Sequence, residues 1–227
     1  MSRPPDWVRD IAEAARRLGA EDLSRSLPPP PASARDSAVL VLFAQSSAGA
    51  ELVLIERAHD MRSHPGQLAF PGGGADADET AAQTALREAE EEIGLDPVGV
   101  DVLGELPALW LPPSNFAVTC VLAWWREESP VGVVDPVEVA DVLRVPIDEL
   151  VDPRHRVTVR HPMGYRGPGF VLGDLVLWGF TASVVDTLLD LGGLAEPWDP
   201  ARTLSAPEPA PVSAPGADRA RGRRSAR

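Results

Sequence analysis

The stretch at residues 73–95, GGADADETAAQTALREAEEEIGL, constrains this chain more than any other. A glycine-rich segment is followed by a run free of glycine and proline, which predicts a helix over about residues 79–93. Asp76 or Asp78 would cap the start of this helix, and Asp76 with Glu79 has the spacing of a capping box. Gly94 stands where a left-handed residue commonly ends a helix.

One face of this predicted helix carries carboxylates in an arrangement that costs stability. Glu88, Glu91 and Glu92 lie at i, i+3 and i+4, so like charges are neighbours and repel by roughly a few tenths of a kcal/mol per pair. Acids in a last turn also oppose the helix dipole, and Arg87 offers local relief at four residues from Glu91. The apolar face predicted to pack inward consists of Ala82, Ala85, Leu86, Ala89 and Ile93.

Two interpretations of these carboxylates are open on geometry alone. A run of charges is most often a solvated helix face. Carboxylates that converge beside an apolar face, after a glycine-rich loop, would instead suit a hard divalent cation that cancels their repulsion. The spacing therefore predicts either an acidic surface or a metal site.

The rest of the chain predicts strands on both sides of this helix and further helices towards the two ends. This order indicates an α+β layered domain rather than a regular βαβ repeat. Predicted helices cover residues 6–18, 147–151 and 181–191, and predicted strands cover 38–44, 51–56, 98–109, 117–125, 139–145, 157–160 and 169–177.

Composition divides the chain into three parts. Residues 1–35 combine the N-terminal helix with a proline-rich linker that includes the prolines at 28–31. Residues 36–195 hold the predicted domain. Residues 196–227 are dominated by Pro, Ala, Ser and Arg, a composition that cannot bury a core and predicts a disordered tail.

Charge and cysteine content limit the classes of function. The net charge of −13 disfavours nonspecific nucleic-acid binding, and a polyanionic phosphate substrate would need cations to bridge it to such a protein. No apolar run approaches the roughly 20 residues that span a bilayer, and the N-terminus lacks the apolar core of a signal peptide. The single cysteine, Cys120, excludes an internal disulfide framework. We therefore expect a cytoplasmic protein with no membrane contact and no specific nucleic-acid partner.

The stretch at residues 73–95 resembles the Nudix box, in which glycine, glutamate, Arg-Glu, Glu-Glu and a final glycine recur at fixed spacings. Every fixed position of that pattern is matched. The resemblance implies an α/β/α sandwich with a mixed central sheet. It also implies a hydrolase that acts on nucleoside diphosphates linked to another group, with Mg²⁺ or Mn²⁺. The matching residues are Gly73, Glu79, Arg87, Glu88, Ala89, Glu91, Glu92, Gly94 and Leu95.

The resemblance also implies roles for individual residues. Glu88, Glu92 and Glu91 are the implied metal ligands, with the carbonyl of Gly72 as a further candidate. Arg87 and Glu79 would orient these carboxylates rather than react. The implied catalytic residues are Glu91, Glu92, Arg87 and Glu79.

The catalytic base is open between one of the box glutamates and Glu138, which precedes the predicted strand at 139–145. Nudix proteins often carry a glutamate at the equivalent place, but a surface acid at a strand start fits Glu138 equally well. His64 lies in the loop before the box, where it would contact substrate, shuttle a proton or hydrogen-bond within the loop. Cys120 has no histidine in a triad pattern and is interpreted as a buried apolar residue.

Before the box, Arg62, Gly66 and Phe70 follow one another at intervals of four residues, and Phe70 begins the sequence FPGG. This spacing resembles a second motif, which marks Nudix enzymes that act on coenzyme A (CoA). The resemblance implies cleavage of CoA or acyl-CoA to 3′,5′-ADP and (acyl-)4′-phosphopantetheine. Its arginines would clamp phosphates, and its glycines would let the backbone approach the diphosphate closely. One departure is Glu56, where the motif has threonine. The implied substrate-binding residues are Arg57, Arg62, Gly66, Phe70, Gly72 and Gly73.

Two alternatives to this substrate and activity stay open. A Nudix pyrophosphatase could act on ADP-ribose or another nucleoside diphosphate derivative, and a Nudix domain could sense a nucleotide without catalysis. The intact box argues against the sensor, because a protein that only binds has no need of three carboxylates. Trp178 is interpreted as a core residue or as the wall of an acyl-pantetheine pocket.

Overall fold

The computed structural model describes residues 2–19, 30–61, 63–112, 114–162 and 164–207. Arg62, part of the proline run and residues 208–227 of the predicted tail lie outside the described residues. The described helices are α1 (Asp6–Ala15), α2 (Ala81–Ile93), α3 (Ile147–Val151) and α4 (Gly179–Leu191), and none of them is long and apolar enough to cross a membrane. The described strands are β1 (Arg35–Ser46), β2 (Gly49–Arg57), β3 (Leu68–Ala69), β4 (Gly72–Gly74), β5 (Val100–Glu105), β6 (Leu109–Leu111), β7 (Phe116–Trp125), β8 (Val139–Pro146), β9 (Arg156–Arg160), β10 (Arg166–Leu172), β11 (Leu175–Leu177) and β12 (Thr203–Ser205).

The main sheet contains both parallel and antiparallel strand pairs. Its central order is β3-β2-β1-β7-β5, while β8 pairs with β2, β4 with β1 and β6 with β7. β1 runs parallel to β7, with Val39 opposite Cys120, whereas β1 and β2 form an antiparallel hairpin. β1 and β7 are nearly continuous apolar runs because both faces of these central strands are covered.

Helices cover the main sheet on both faces, which confirms the α/β/α sandwich with a mixed sheet. On one face, α2 presents Ala85, Ala89 and Ile93, which are completely buried. On the other face, α1 and α4 pack through side chains such as Ile11 and Val185. The small alanines of α2 let this helix lie close to the sheet, so the carboxylates on its adjacent face are held near the backbone of β4.

Helix α2 begins later than predicted, and a different residue caps it. The Thr80 hydroxyl accepts a hydrogen bond from the Gln83 amide, and the Gln83 side chain accepts one from the Thr80 amide. The predicted caps, Asp76 and Asp78, lie in the loop before the helix, and Asp78 has a φ of 68° that an N-cap residue does not adopt. Gly94 ends the helix in the left-handed conformation, as predicted, with a φ of 71°.

A second sheet, ordered β11-β10-β9-β12, includes residues beyond position 196. β12 pairs in parallel with β9, so the predicted disorder from residue 196 is wrong for residues 203–205, and Ala206 beyond them is buried. Composition could not show this, because backbone pairing rather than an apolar run holds the segment. At the other end, Val8 and Ile11 of α1 are buried in the core, so α1 belongs to the domain.

The segment that leads to β12 is anchored on a buried arginine. Arg156 is 2% exposed, and its guanidinium lies between the rings of Phe170 and Trp198, at 4.5 Å and 4.8 Å from their centroids. It also forms an ion pair with Asp186 of α4. A buried guanidinium is stable only when its charge is compensated, so Trp198 ties the C-terminal segment to the domain.

We expect Trp198→Ala to lower the free energy of unfolding by about 2 kcal/mol, because it removes an aromatic face from a desolvated guanidinium. Trp198→Phe keeps an aromatic face and should lower the free energy of unfolding by less than half as much. Urea denaturation followed by circular dichroism measures both variants. An unchanged midpoint for Trp198→Ala would show that this contact does not hold the segment.

Candidate active site

Two glycines of β4 form the floor against which the carboxylates of α2 rest. A Cβ at Gly73 would lie 2.5 Å from the Glu88 carboxylate, so a larger residue would displace that group. At Gly72 the φ is 152°, and a Cβ would overlap the carbonyl of Ala38 on β1. The Gly72 amide donates to Glu92 Oε2 at 2.9 Å. The missing side chain of Gly73 therefore leaves the space in which the Glu88 carboxylate sits, while the Gly72 amide holds the Glu92 carboxylate.

Glu92 is a buried carboxylate with one unused oxygen. It is 3% exposed, and its Oε1 has no hydrogen-bond partner among the described residues. Burial raises the pKa of Glu92 to about 8, although the Gly72 amide and the positive charge of Arg57 act in the opposite direction. Burial also raises the pKa of Glu88. A buried acceptor without a partner costs free energy, and a bound cation would remove that cost.

Arg87 joins the carboxylates of α2 to the loop that precedes the helix. Its Nε and Nη2 donate to the two oxygens of Glu79 at 2.8 Å and 3.0 Å, a bidentate pair. Its Nη1 donates to Glu88 Oε1 at 2.8 Å, and Nη2 also reaches the Gly74 carbonyl at 3.0 Å. The Arg87 guanidinium lowers the pKa of Glu79 to about 2, so this pair stays charged at neutral pH. Glu79 therefore fixes Arg87, and Arg87 fixes Glu88.

The box glutamates do not converge in the way that the sequence predicted. The Glu91 side chain is 60% exposed and meets the site through a 3.2 Å hydrogen bond from Arg87. Its neighbour Glu92 lies about 100° further round the helix and is buried. Across the described residues, no three His, Cys, Asp or Glu side chains are placed to hold a metal ion together. The structure brings Glu88 and Glu92 to one place and leaves Glu91 at its solvent edge.

Two further residues, from the end of β2 and from the loop before β8, face this pair. The negative charge of Glu138 raises the pKa of both Glu88 and Glu92, so its carboxylate lies near them. The Glu138 carbonyl accepts a hydrogen bond from the Ala58 amide at 2.8 Å, which ties the loop to β2. Arg57 has a buried Nε without a partner among the described residues. The site thus combines the carboxylates of Glu88, Glu92 and Glu138 with two arginines, Arg57 and Arg87.

The structure separates the predicted substrate-binding residues. Phe70 is 2% exposed, and its ring packs in the core shared with α1 and α4, so its predicted contact with substrate stays a prediction. Gly66 adopts a φ of 68° in a turn where a Cβ would lie 2.9 Å from the His59 ring. Arg57 stays at the site, and Arg62 lies outside the described residues.

The histidines of the loop before the box make local contacts. His64 is exposed, and its Nδ1 lies 3.0 Å from Gln67 Oε1, the geometry of a hydrogen bond within the loop. His59 Nε2 lies 3.1 Å from Glu56 Oε1, a contact that sequence reasoning missed. In the sequence, this contact is indicated by the separation of three residues between Glu56 and His59. Glu56, which stands where the motif has threonine, therefore has a partner outside the carboxylate site.

Cys120 and Trp178 occupy packed positions. Cys120 is completely buried, and burial raises the pKa of its thiol to about 12, so the interpretation as a buried apolar residue is confirmed. Trp178 packs against Val157 and Val159 and stacks on His161 with ring centroids 5.8 Å apart. This packing favours the core interpretation of Trp178.

Comparison with known proteins identifies the class to which this fold and site belong. The family model of the NUDIX domain matches residues 34–163, more than half of the chain. This chain belongs to the Nudix family and is a Nudix hydrolase.

The relatives and a solved structure agree with that assignment. A NudL protein of Pectobacterium atrosepticum, named as an uncharacterized Nudix hydrolase, is 36% identical over 151 residues, which cover 60% of this chain and 72% of that protein. Nudix hydrolase 3 of Caenorhabditis elegans is 38% identical over 102 residues, which cover 44% of this chain and 42% of that protein. The crystal structure of RenU, a Nudix hydrolase from M. smegmatis, shares the fold, with a TM-score of 0.52 and 22% identity over 73% of this chain and 89% of that chain.

The family acts on nucleoside diphosphate derivatives and generally uses divalent metal ions. The donor set fits such an ion, because Mg²⁺ and Mn²⁺ prefer carboxylate and carbonyl oxygens. Glu92 offers its unpartnered Oε1, Glu88 lies beside it, and Glu138 adds a third charge.

Proposed function

We propose that this chain uses a divalent metal ion to hydrolyse the diphosphate of CoA or acyl-CoA to 3′,5′-ADP and (acyl-)4′-phosphopantetheine. The observation that carries the reaction is the buried Glu92, whose Oε1 has no partner among the described residues and whose carboxyl is near the negative charges of Glu88 and Glu138. The substrate assignment is supported by the CoA-type motif, because two of its residues adjoin the same carboxylate. Gly72 donates its amide to Glu92, and Arg57 places a positive charge near it.

Each residue of the site has a proposed part in the hydrolysis. Glu88 and Glu92 would hold the ion, with the Gly72 carbonyl as a further oxygen donor. A bound divalent ion supplies positive charge to the diphosphate oxygens that gain negative charge in the transition state. Hydrolysis adds water across one bond of the anhydride: the water oxygen bonds to phosphorus, and the bridging oxygen leaves with the other phosphate. We assign the proton of that water to Glu138, whose carboxylate makes no hydrogen bond to the described residues.

Arg57 is proposed to bind a phosphate of the substrate. Its Nε is buried and unpartnered within the described part of the chain, so the guanidinium has a donor left for a ligand. The planar fork of arginine matches phosphate oxygens better than a lysine would. Gly73 and Gly72 leave the backbone of β4 open to the diphosphate. Arg62 stays a prediction from the motif.

A comparison of substrates tests the assignment. CoA, 3′-dephospho-CoA and ADP-ribose are incubated separately with the protein at equal Mn²⁺, and the products are identified by mass. We expect the highest kcat/KM for CoA. Equal values for CoA and ADP-ribose would favour a broader pyrophosphatase, and binding without products would favour a nucleotide sensor.

The burial of Glu92 also predicts how stability depends on pH. The pKa of this carboxyl is raised from its ordinary 4.5 to about 8, so its contribution is fully present below pH 4.5 and is lost as the pH rises through 8. In a chelator, Tm should therefore fall between pH 5 and pH 8.5, and Glu92→Gln should flatten that fall. Added Mn²⁺ should raise Tm more at pH 8.5 than at pH 5, because the ion needs the ionised carboxylate. A fall of equal size in Glu92→Gln would assign the effect to other groups.

A further inference from the structure

The loop between β7 and β8 exposes apolar side chains beside the active site. Residues 131–138, which we name the valine loop, read VGVVDPVE. Val133, Val134 and Val137 are 40%, 58% and 75% exposed. Three exposed valines in so short a segment form an apolar surface in otherwise acidic surroundings, and such a surface marks contact with something apolar.

The valine loop is fixed to the helix that carries the box carboxylates. The amides of Gly132 and Val134 donate to the carbonyls of Ile93 and Glu92, each at 3.0 Å. At its other end the loop finishes in Glu138, whose charge acts on the Glu92 carboxyl. The valines therefore lie on a fixed rim that runs from the end of α2 to the proposed base.

The negative charges around this rim limit which groups can cover it. Glu90 and Glu91 are exposed on the adjoining turn of α2, and Asp135 lies within the loop itself. A second copy of a chain with a net charge of −13 would bring the same acids against them, which opposes self-association. An apolar group attached to the substrate brings no such charge, and a substrate whose diphosphate lay at Glu92 would hold that group near a loop that ends in Glu138.

We propose that the valine loop contacts the branched apolar carbon next to the diphosphate on the non-nucleotide side of the substrate. This inference rests on the proposed function. In CoA, the carbon after the first methylene of the pantetheine arm bears a pair of methyl groups. ADP-ribose and dinucleotides carry a hydroxylated sugar at that place. The loop thus selects CoA derivatives by an apolar contact that sugar-linked diphosphates do not make.

Two simple esters of 3′-phospho-ADP isolate this contact. The neopentyl ester on the outer phosphate reproduces the dimethyl carbon, and the n-propyl ester lacks it. The wild-type chain should prefer the neopentyl ester by about tenfold in kcat/KM, the size of effect that a methyl group has in an apolar site. Val137→Ser and Val134→Ser should each bring that ratio close to one. Val98→Ser, at a valine 78% exposed before β5, is the matched control and should retain the preference.

The outcomes separate this inference from the proposed function. The wild type could cleave CoA and both esters with equal kcat/KM for the two esters, or the serine variants could keep the preference for the neopentyl ester. Either result would show that the valine loop does not contact the dimethyl carbon. If the wild type with Mn²⁺ cleaves neither CoA nor the esters, the proposed function fails and this inference fails with it. Thermal melts of the variants check that each is folded, which exposed valine-to-serine changes should permit.

Discussion

Glu92→Gln should lose about a thousandfold in kcat while remaining folded. The amide keeps the shape of the side chain and can still accept the hydrogen bond of the Gly72 amide, but it carries no charge for a divalent ion. Removing a buried carboxyl whose pKa is about 8 should also leave the metal-free protein at least as stable at pH 8. Steady-state hydrolysis of CoA with Mn²⁺ and a thermal melt in chelator measure the two effects.

Glu91→Gln is the matched control for that variant, since it makes the same change one position earlier on the helix. Its side chain is 60% exposed, so we expect a loss of about tenfold or less. The resemblance to the Nudix box implied that both glutamates are metal ligands, which would give large losses at both positions. Equal losses would contradict the separation of Glu91 from the site, and full activity of Glu92→Gln would contradict its assignment as a metal ligand.

Arg87→Ala should lower kcat/KM by about a hundredfold, the size of effect seen when a residue that orients metal ligands is removed. The change breaks the hydrogen bonds to Glu88 and to both oxygens of Glu79. Arg87→Lys should recover little of the loss, because an ammonium group cannot form the bidentate pair. Titration with Mn²⁺, followed by activity at saturating metal, separates weaker ion binding from slower turnover.

A double variant tests whether Arg87 and Glu79 act as one unit. Glu79→Gln alone should lower kcat/KM about tenfold, because Arg87 then loses the carboxylate that fixes it. In a protein that already carries Arg87→Ala, Glu79→Gln should lower kcat/KM almost no further, because Glu79 acts by fixing Arg87. Losses that multiply would show that Glu79 has a part of its own.

Much of the site could be predicted because its pattern is local. Helix periodicity identified the apolar face of α2, and the glycine at position 94 ended the helix as expected. The same periodicity could not separate Glu91 from Glu92, because the distinction depends on how closely β4 approaches the helix. That approach rests on Gly72, where a side chain would overlap β1, and on Gly73, whose missing side chain leaves room for the Glu88 carboxylate.

Other features depend on contacts that no short stretch of sequence records. The motif spacing marked Phe70 as part of the substrate segment, but only the packing of the sheet shows that its ring faces the core. The cage around Arg156 joins residues from β9, β10, α4 and the C-terminal segment, so Trp198 appeared to belong to a disordered tail. β12 is held by backbone pairing, which composition does not reveal.

We propose that the site of Glu88 and Glu92 cleaves the diphosphate of CoA with a divalent ion. The most direct test incubates the full chain with CoA, with and without Mn²⁺, and identifies the products by mass, with Glu92→Gln run in parallel. We predict equal amounts of 3′,5′-ADP and 4′-phosphopantetheine that form with Mn²⁺ and are absent in chelator and in the variant. Intact CoA beside hydrolysed ADP-ribose under the same conditions, or products that form without metal, would contradict the account.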